Sequence, residues 1–322
     1  MKLLAPLRNS SEVEPLLAAG AEEFYCGITP PAWQTRFSHN WINRRSPGSA
    51  GIDDFADLQR ILLQAAGRPV YVTLNAPFYP AGSLELLVEF SAELLAAGVA
   101  GLIVADLNLL LSLVEAGLAA KIHLSSLATC TNQGAATFFQ ELGVSRVILP
   151  RHLTLDEIAS SLVPGLDFEV FLLNDGCVFE EGLCATTHAA GAFCLNDGEA
   201  VPGISAQTLE GYAFWKWTLN HCGCKTNHGY PLGPCGLCAL PRLRHMGISS
   251  LKVVGREASL PRKQAAVSLA AQALRLARSG AGPEEIRDRV IELRGGAALC
   301  QGRHLCYYPE VWAAAQSGEG RC

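Results

Sequence analysis

Eight short aliphatic and aromatic runs, each followed by an amphipathic helical pattern, constrain this chain more than any other feature. The runs are Leu3–Pro6, Glu23–Cys26, Val70–Leu74, Leu102–Ala105, Lys121–Leu124, Arg146–Leu149, Phe168–Leu173 and Leu251–Val254. They show little polar alternation, as parallel strands buried on both faces do. Helical patterns lie between them, from Ser10 to Leu17 and over Asp53–Gly67, Ser83–Gly98, Asn132–Gly143 and Thr154–Leu162. Each starts near a residue able to cap free amides, and several end in a glycine that accepts a left-handed C-cap. Eight strand–helix units close a parallel barrel. An open doubly wound sheet competes, but no Gly-x-Gly-x-x-Gly follows the first strand. The expected fold is therefore α/β, a (β/α)8 TIM-type barrel with a cysteine-rich insertion after strand seven.

The chain has 322 residues, 49% of them hydrophobic. A barrel needs roughly 250 residues, which leaves room for insertions. The expected domain plan is a barrel over 1–260, including a 174–238 insertion, and C-terminal helices and a tail over 261–322 packed on it. Long helices are expected near Pro261–Gly280 and Pro283–Arg294. A second insertion, 29–52, follows strand two and carries Trp33, Arg36, His39, Asn40, Trp41, Arg44 and Arg45. Such a loop suits stacking and phosphate pairing with an RNA base, or else a packed lid or dimer contact. With a net charge of −5, attraction to a polyanion has to come from a local basic patch. The apolar run at the N-terminus is too short for a signal peptide, and no stretch reaches the roughly 20 apolar residues of a membrane span. A cytoplasmic protein is expected.

In a barrel, the loops after the strands share one rim, and chemistry lives there. That places Cys26, Gly27, Asn75, Asp106, Ser125, Ser126, Arg151, Asn174, Asp175, Cys177, Gly255, Arg256 and Glu257 on the rim. Asp106, Arg151 and Arg256 are the candidate catalytic residues. The two arginines suit clamping a carboxylate through paired hydrogen bonds, or else pairing with Asp106 or Glu257 across the rim.

Twelve cysteines in such a chain point to metal or redox chemistry rather than to disulfides. Seven fall in the insertion, as Cys177-x6-Cys184-x9-Cys194, Cys222-x-Cys224 and Cys235-x2-Cys238. The two closest pairs suit a tetrahedral zinc. The wider gaps favour an iron–sulfur cluster reached from several turns, with zinc remaining open. Cys300 and Cys306, in the tail, either cover the cluster or form a second thiol pair.

These residues resemble the collagenase-like U-32 peptidase family. Glu169-Val170-Phe171, Cys177, Gly182 and Cys184 reproduce its signature spacing without a gap. His123-Leu124-Ser125-Ser126 with Asn132, and Ile148-Leu149-Pro150-Arg151-His152-Leu153, are similar to further family segments. So are Ser250-Leu251-Lys252-Val253-Val254-Gly255-Arg256, Leu3-Leu4-Ala5-Pro6 and Ala18-Ala19-Gly20-Ala21. The resemblance implies a barrel bearing a [4Fe–4S] cluster and oxygen-independent hydroxylation of a tRNA or rRNA base or a ubiquinone precursor. Prephenate is the oxygen donor in several members. Cys177 and Cys184 would be the first two ligands and Cys194 the third, with Cys222 or Cys224 as substitutes. Cys238 would be the fourth, with Cys235 as its rival. The resemblance also raises two alternatives: a metal-dependent peptidase, and a non-catalytic cluster carrier that forms a heterodimer with a second family member. Against proteolysis, no serine, histidine and acid at recognisable spacing and no His-Glu-x-x-His helix appear in the sequence.

Overall fold

The structure, a computed structural model, describes residues 1–37, 41–43, 47–174, 182, 233–295, 297–303 and 305–312. Eight parallel strands close into a barrel in chain order, β1 pairing with β8. They are β1 (Lys2–Pro6), β2 (Glu23–Cys26), β3 (Val70–Leu74), β4 (Gly101–Val104), β5 (Ile122–Leu124), β6 (Arg146–Ile148), β7 (Asp167–Leu173) and β8 (Ser250–Val253). Every expected run is a strand, with ends shifted by one residue at most places. The cysteine-rich insertion lies almost wholly outside the described residues.

Helices follow the strands in turn. After β1 comes α1 (Val13–Ala19), and after β2 come α2 (Pro31–Arg36), α3 (Pro47–Ala50) and α4 (Phe55–Gln64). The next four strands are followed by α5 (Leu84–Ala96), α6 (Leu107–Glu115), α7 (Gln133–Glu141) and α8 (Leu155–Ser161). The six-residue α9 (Leu240–His245) precedes β8, and α10 (Leu260–Arg278), α11 (Pro283–Arg294) and α12 (Ala297–Gly302) follow it. Asp54, Asp106, Asn132 and Thr154 cap their helices by accepting from the amides of Asp57, Leu109, Ala135 and Glu157. Each such cap is worth about 1 kcal/mol. Ser83 does not cap: its hydroxyl donates to Pro80 O at 2.7 Å.

The strands alternate after all, between two kinds of interior. Outward residues such as Phe24, Val72, Leu102, Val147 and Leu251 join the core under the helices. Leu4, Tyr25, Tyr71, Ile103, Ile148 and Phe171 form a separate cluster inside the barrel. Helix α10, directly after β8, packs on α1 and β1. There, at Gly20 with φ +108°, an added Cβ would stand 2.6 Å from the Ala271 Cβ, so only glycine fits. A buried Lys263–Glu12 pair at 2.7 Å ties the same helix to the turn after β1.

Candidate functional site

The barrel lumen holds a charged network. Arg146 of β6 donates to both carboxylate oxygens of Glu23 on β2, at 3.0 and 3.1 Å, and to Glu169 of β7 at 3.3 Å. Lys252 of β8 donates to the other Glu169 oxygen at 2.9 Å. The Ser250 and Tyr71 hydroxyls complete the shell around Glu23. Two cations thus meet two anions, and each carboxylate accepts several hydrogen bonds, the condition under which buried charges are tolerated. Burial works to raise the Glu23 carboxyl, but the Arg146 hydrogen bond and charge, with Ser250 and Tyr71, outweigh it and hold the pKa below the usual range.

Beside this network, His123 of β5 packs its ring 4.3 Å from that of Tyr71. Its Nδ1 is buried without a hydrogen-bond partner. Burial, then the nearby positive charges of Arg146 and Lys252, push its pKa well below the ordinary value, so the imidazole is neutral near pH 7. Toward the rim, the Lys252 ammonium lies 4.3 Å from the Tyr25 ring centroid and the Arg256 guanidinium 6.0 Å from it. Both distances are within cation–π range.

At the strand ends, Arg256 donates to Thr73 Oγ1 at 3.0 Å and Asn43 Oδ1 at 3.1 Å. Its Nη1 would be 2.3 Å from a Cβ at position 27, which explains the glycine there. Asn43 comes from the insertion after β2, so Arg256 fastens that insertion to the barrel mouth. Arg151 is buried just after β6. Asp106, also buried, spends one carboxylate oxygen on the Leu109 amide at 2.7 Å. The three candidate catalytic residues, Asp106, Arg151 and Arg256, therefore stand on one rim, after β4, β6 and β8 respectively. Phe78, in the loop after β3, is 72% exposed, an unusual position for so large an aromatic ring.

In the second-strand insertion, Trp33 takes the packed arrangement of the two alternatives. Trp33 is buried, with its ring against Phe37 and Tyr79, while the Tyr79 hydroxyl donates to Ile42 O at 2.7 Å. It packs a lid and is not available to stack on a base. His39, Asn40, Arg44 and Arg45 lie outside the described residues, as do Cys177, Cys184, Cys194, Cys222 and Cys224.

Cys235 and Cys238 are described. Cys235 is joined to the end of β7 by a bridge with Leu173, and Cys238 sits in the 3-10 turn Leu237–Ala239 that leads into α9. Both line a small, partly open pocket together with Cys300, Cys306, Arg294 and Trp312. Among the described residues, no three histidines, cysteines or acids are gathered closely enough to hold a single metal ion. The donors around this cavity are all soft sulfurs, a set suited to thiolate-bound metals and iron–sulfur groups. Burial pushes the Cys306 thiol up to about 12 and also raises those of Cys238 and Cys300. Cys26 and Cys130, by contrast, are buried thiols raised by burial to about 12 and about 11, with the character of inert core residues.

Sequence reasoning missed the lumen network. Glu169 and Lys252 were visible only as letters in family motifs, and Glu23 and Arg146 drew no notice. The usable signal was a charged residue, Glu23, Arg146, Glu169 or Lys252, set within each of four otherwise apolar strands.

Fold and site define a class: a (β/α)8 barrel with an ionic lumen, arginines at its mouth and a thiol-lined cavity beside it. The chain belongs to Peptidase family U32, whose sequence profile matches residues 8–298. It is 28% identical over 185 residues to tRNA hydroxylation protein P of Escherichia coli (strain K12), covering 57% of this chain and 38% of that one. To tRNA hydroxylation protein P1 of Bacillus subtilis (strain 168) it is 24% identical over 272 residues, covering 80% and 59%. To the 23S rRNA 5-hydroxycytidine C2501 synthase of E. coli it is 26% identical over 200 residues, covering 62% and 28%. The chain thus spans less than two thirds of the length of each of these relatives. No helix among the described residues is long and apolar enough to cross a membrane.

Proposed function

We propose that this U32 chain takes part in hydroxylating an RNA base, without O2 as the oxygen source and in the cytoplasm, where its substrate is. The observation that carries the reading is its alignment with two proteins named for tRNA hydroxylation and one named for a hydroxycytidine of 23S rRNA. The motif segments that mark the family end in residues of the lumen and rim, which supports placing the chemistry there.

In this reading Arg151 and Arg256 attract a carboxylate donor, of which prephenate is the candidate. Asp106, committed to its helix cap, shapes the rim between them. Phe78 offers an exposed face for a base to stack on. The neutral His123 and the paired charges beneath it give the barrel floor a fixed electrostatic field that needs no reorganisation. Cysteines of the 174–238 region, with Cys177 and Cys184 first, would hold a [4Fe–4S] cluster, which supplies electron transfer when bound. The family ligand set continues with Cys194 and with Cys238 or Cys235.

The test compares hydroxylated nucleosides of tRNA and 23S rRNA, and quinones, in cells with and without the chain. Loss of one hydroxylated nucleoside, restored by the wild-type gene, supports the reading. An unchanged nucleoside profile with altered quinones would replace RNA by a quinone precursor. The same cells show whether a second U32 chain co-purifies as a partner.

A further inference from the structure

We propose that Arg294 is the buried counter-cation of the cluster assigned above and raises its reduction potential. This role rests on the cluster reading and adds to it a residue outside the motif segments. Arg294 is the last residue of α11, and Gly295, at φ +58°, ends the helix behind it. Helix α11 packs against the turn Leu237–Ala239, which carries Cys238. Asn174 N donates to Pro234 O and Gly236 N to Leu172 O, which fastens the segment before that turn to the end of β7. Helix packing thus delivers a guanidinium to the cysteine pair from which the family set draws its last ligand.

The side chain is charged, buried and short of partners. It is 3% exposed. One of its Nη atoms donates to Gly233 O at 2.9 Å, and its Nε has no hydrogen-bond partner. Among the described residues, the pocket that it lines with Cys235 and Cys238 has no carboxylate. The ionisable groups that act on it are the thiols of Cys235, Cys300 and Cys238. Gly233 O and the negative end of the helix dipole offer partial charges, whereas a buried guanidinium needs a full one. A clamp on Gly233 O alone would leave this cation uncompensated.

The missing charge has the sign that a thiolate-held cluster carries. Such a cluster is a net anion, and reduction adds one more negative charge. A fixed cation in a site poor in water favours the reduced form and so raises the potential. The unpartnered Nε–H is available to a sulfur acceptor, and hydrogen bonds to sulfur act in the same direction. Arg294 therefore has two means of making the group easier to reduce, its charge and its free donor.

The full chain is purified without oxygen as wild type, as Arg294→Lys and as Arg294→Gln. Iron and acid-labile sulfide are counted, urea midpoints are measured, and the potential is read by redox titration followed by electron paramagnetic resonance. Arg294→Gln keeps a donor for Gly233 O but loses the charge. Its equilibrium constant for reduction is expected to fall about tenfold or more, which is about 59 mV for one electron. Arg294→Lys keeps the charge and should stay closer to wild type. An unchanged potential in iron-loaded Arg294→Gln, even with a lower urea midpoint, would reduce Arg294 to a structural clamp and overturn the proposal. Equal falls in both variants would also overturn it, and either result leaves the cluster reading intact. A wild type without iron would instead sink that reading, and this role with it. The wild type decides without any variant as well. With isotope-labelled arginine nitrogen, pulsed resonance of the reduced cluster should show coupling to a guanidinium nitrogen, and absence of that coupling would overturn the proposal.

Discussion

Arg146 and Glu23, on strands β6 and β2 that face each other across the barrel, are joined by two hydrogen bonds of 3.0 and 3.1 Å in the lumen. A link between opposite walls fixes the barrel's cross-section as well as its charge balance. Replacing Arg146 by Ala leaves Glu23 and Glu169 buried with less compensation. Breaking such a pair costs about 3–5 kcal/mol. Urea unfolding of Arg146→Ala should show that loss, whereas Arg289→Ala, at an exposed pair with Glu292, should show less than about 1 kcal/mol.

The buried imidazole gives a pH dependence with a definite sign. His123 has a folded pKa well below its unfolded value near 6.5, so the unfolded chain binds the proton more readily. Its contribution to stability is therefore complete above pH 6.5 and is lost as pH falls from there toward the folded value. Glu23, also lowered, adds a loss of the same sign below its unfolded value of 4.5. His123→Phe keeps a ring against Tyr71 and should flatten the fall in the urea midpoint between pH 7 and 5.5. An equally steep fall in that variant would remove His123 as the cause.

Much of this fold was legible in the sequence because burial on both strand faces leaves long apolar runs, and the cap residues at Asn132 and Thr154 mark helix starts. The lumen was not legible. Glu23 opens a strand that reads Glu-Phe-Tyr-Cys, and its partner Arg146 lies 123 residues away, a pairing that only barrel closure creates. Trp33 was undecided from sequence: an aromatic beside arginines suits either RNA stacking or a packed lid, and only the placement of Tyr79, from the next loop, against its ring chooses the packed form. Cys300 and Cys306 read as an unassigned tail, because only backbone pairing at Leu305 and Tyr307 carries them to Cys235.

Arg256 is expected to be intolerant of lysine. A lysine cannot fork between Thr73 and Asn43, so the insertion after β2 loses its anchor at the barrel mouth. Hydrogen bonds to a charged group are worth about 1.5–3 kcal/mol, which corresponds to roughly a tenfold or greater fall in RNA hydroxylation for Arg256→Lys. Gly27→Ala should reproduce the defect, since its methyl group occupies the place of Nη1. Turnover assays on both variants, normalised to iron content, check this.

Phe78 tests the stacking surface separately from stability. Its side chain is exposed, so Phe78→Ala should leave the urea midpoint unchanged. Losing one stacked base should weaken RNA binding by about 1–3 kcal/mol. Filter binding at fixed salt, with Phe78→Tyr as the control that retains a ring, separates stacking from charge.

The most direct test incubates iron-loaded protein, purified without oxygen, with prephenate and with tRNA or 23S rRNA from cells lacking the chain. A second U32 chain is added in a parallel reaction. Mass spectrometry of the digested RNA should show one nucleoside gaining a single oxygen atom under strict exclusion of O2, and Arg256→Lys should reduce that gain. RNA that returns unchanged from every reaction, with the protein folded and its iron retained, would contradict the account.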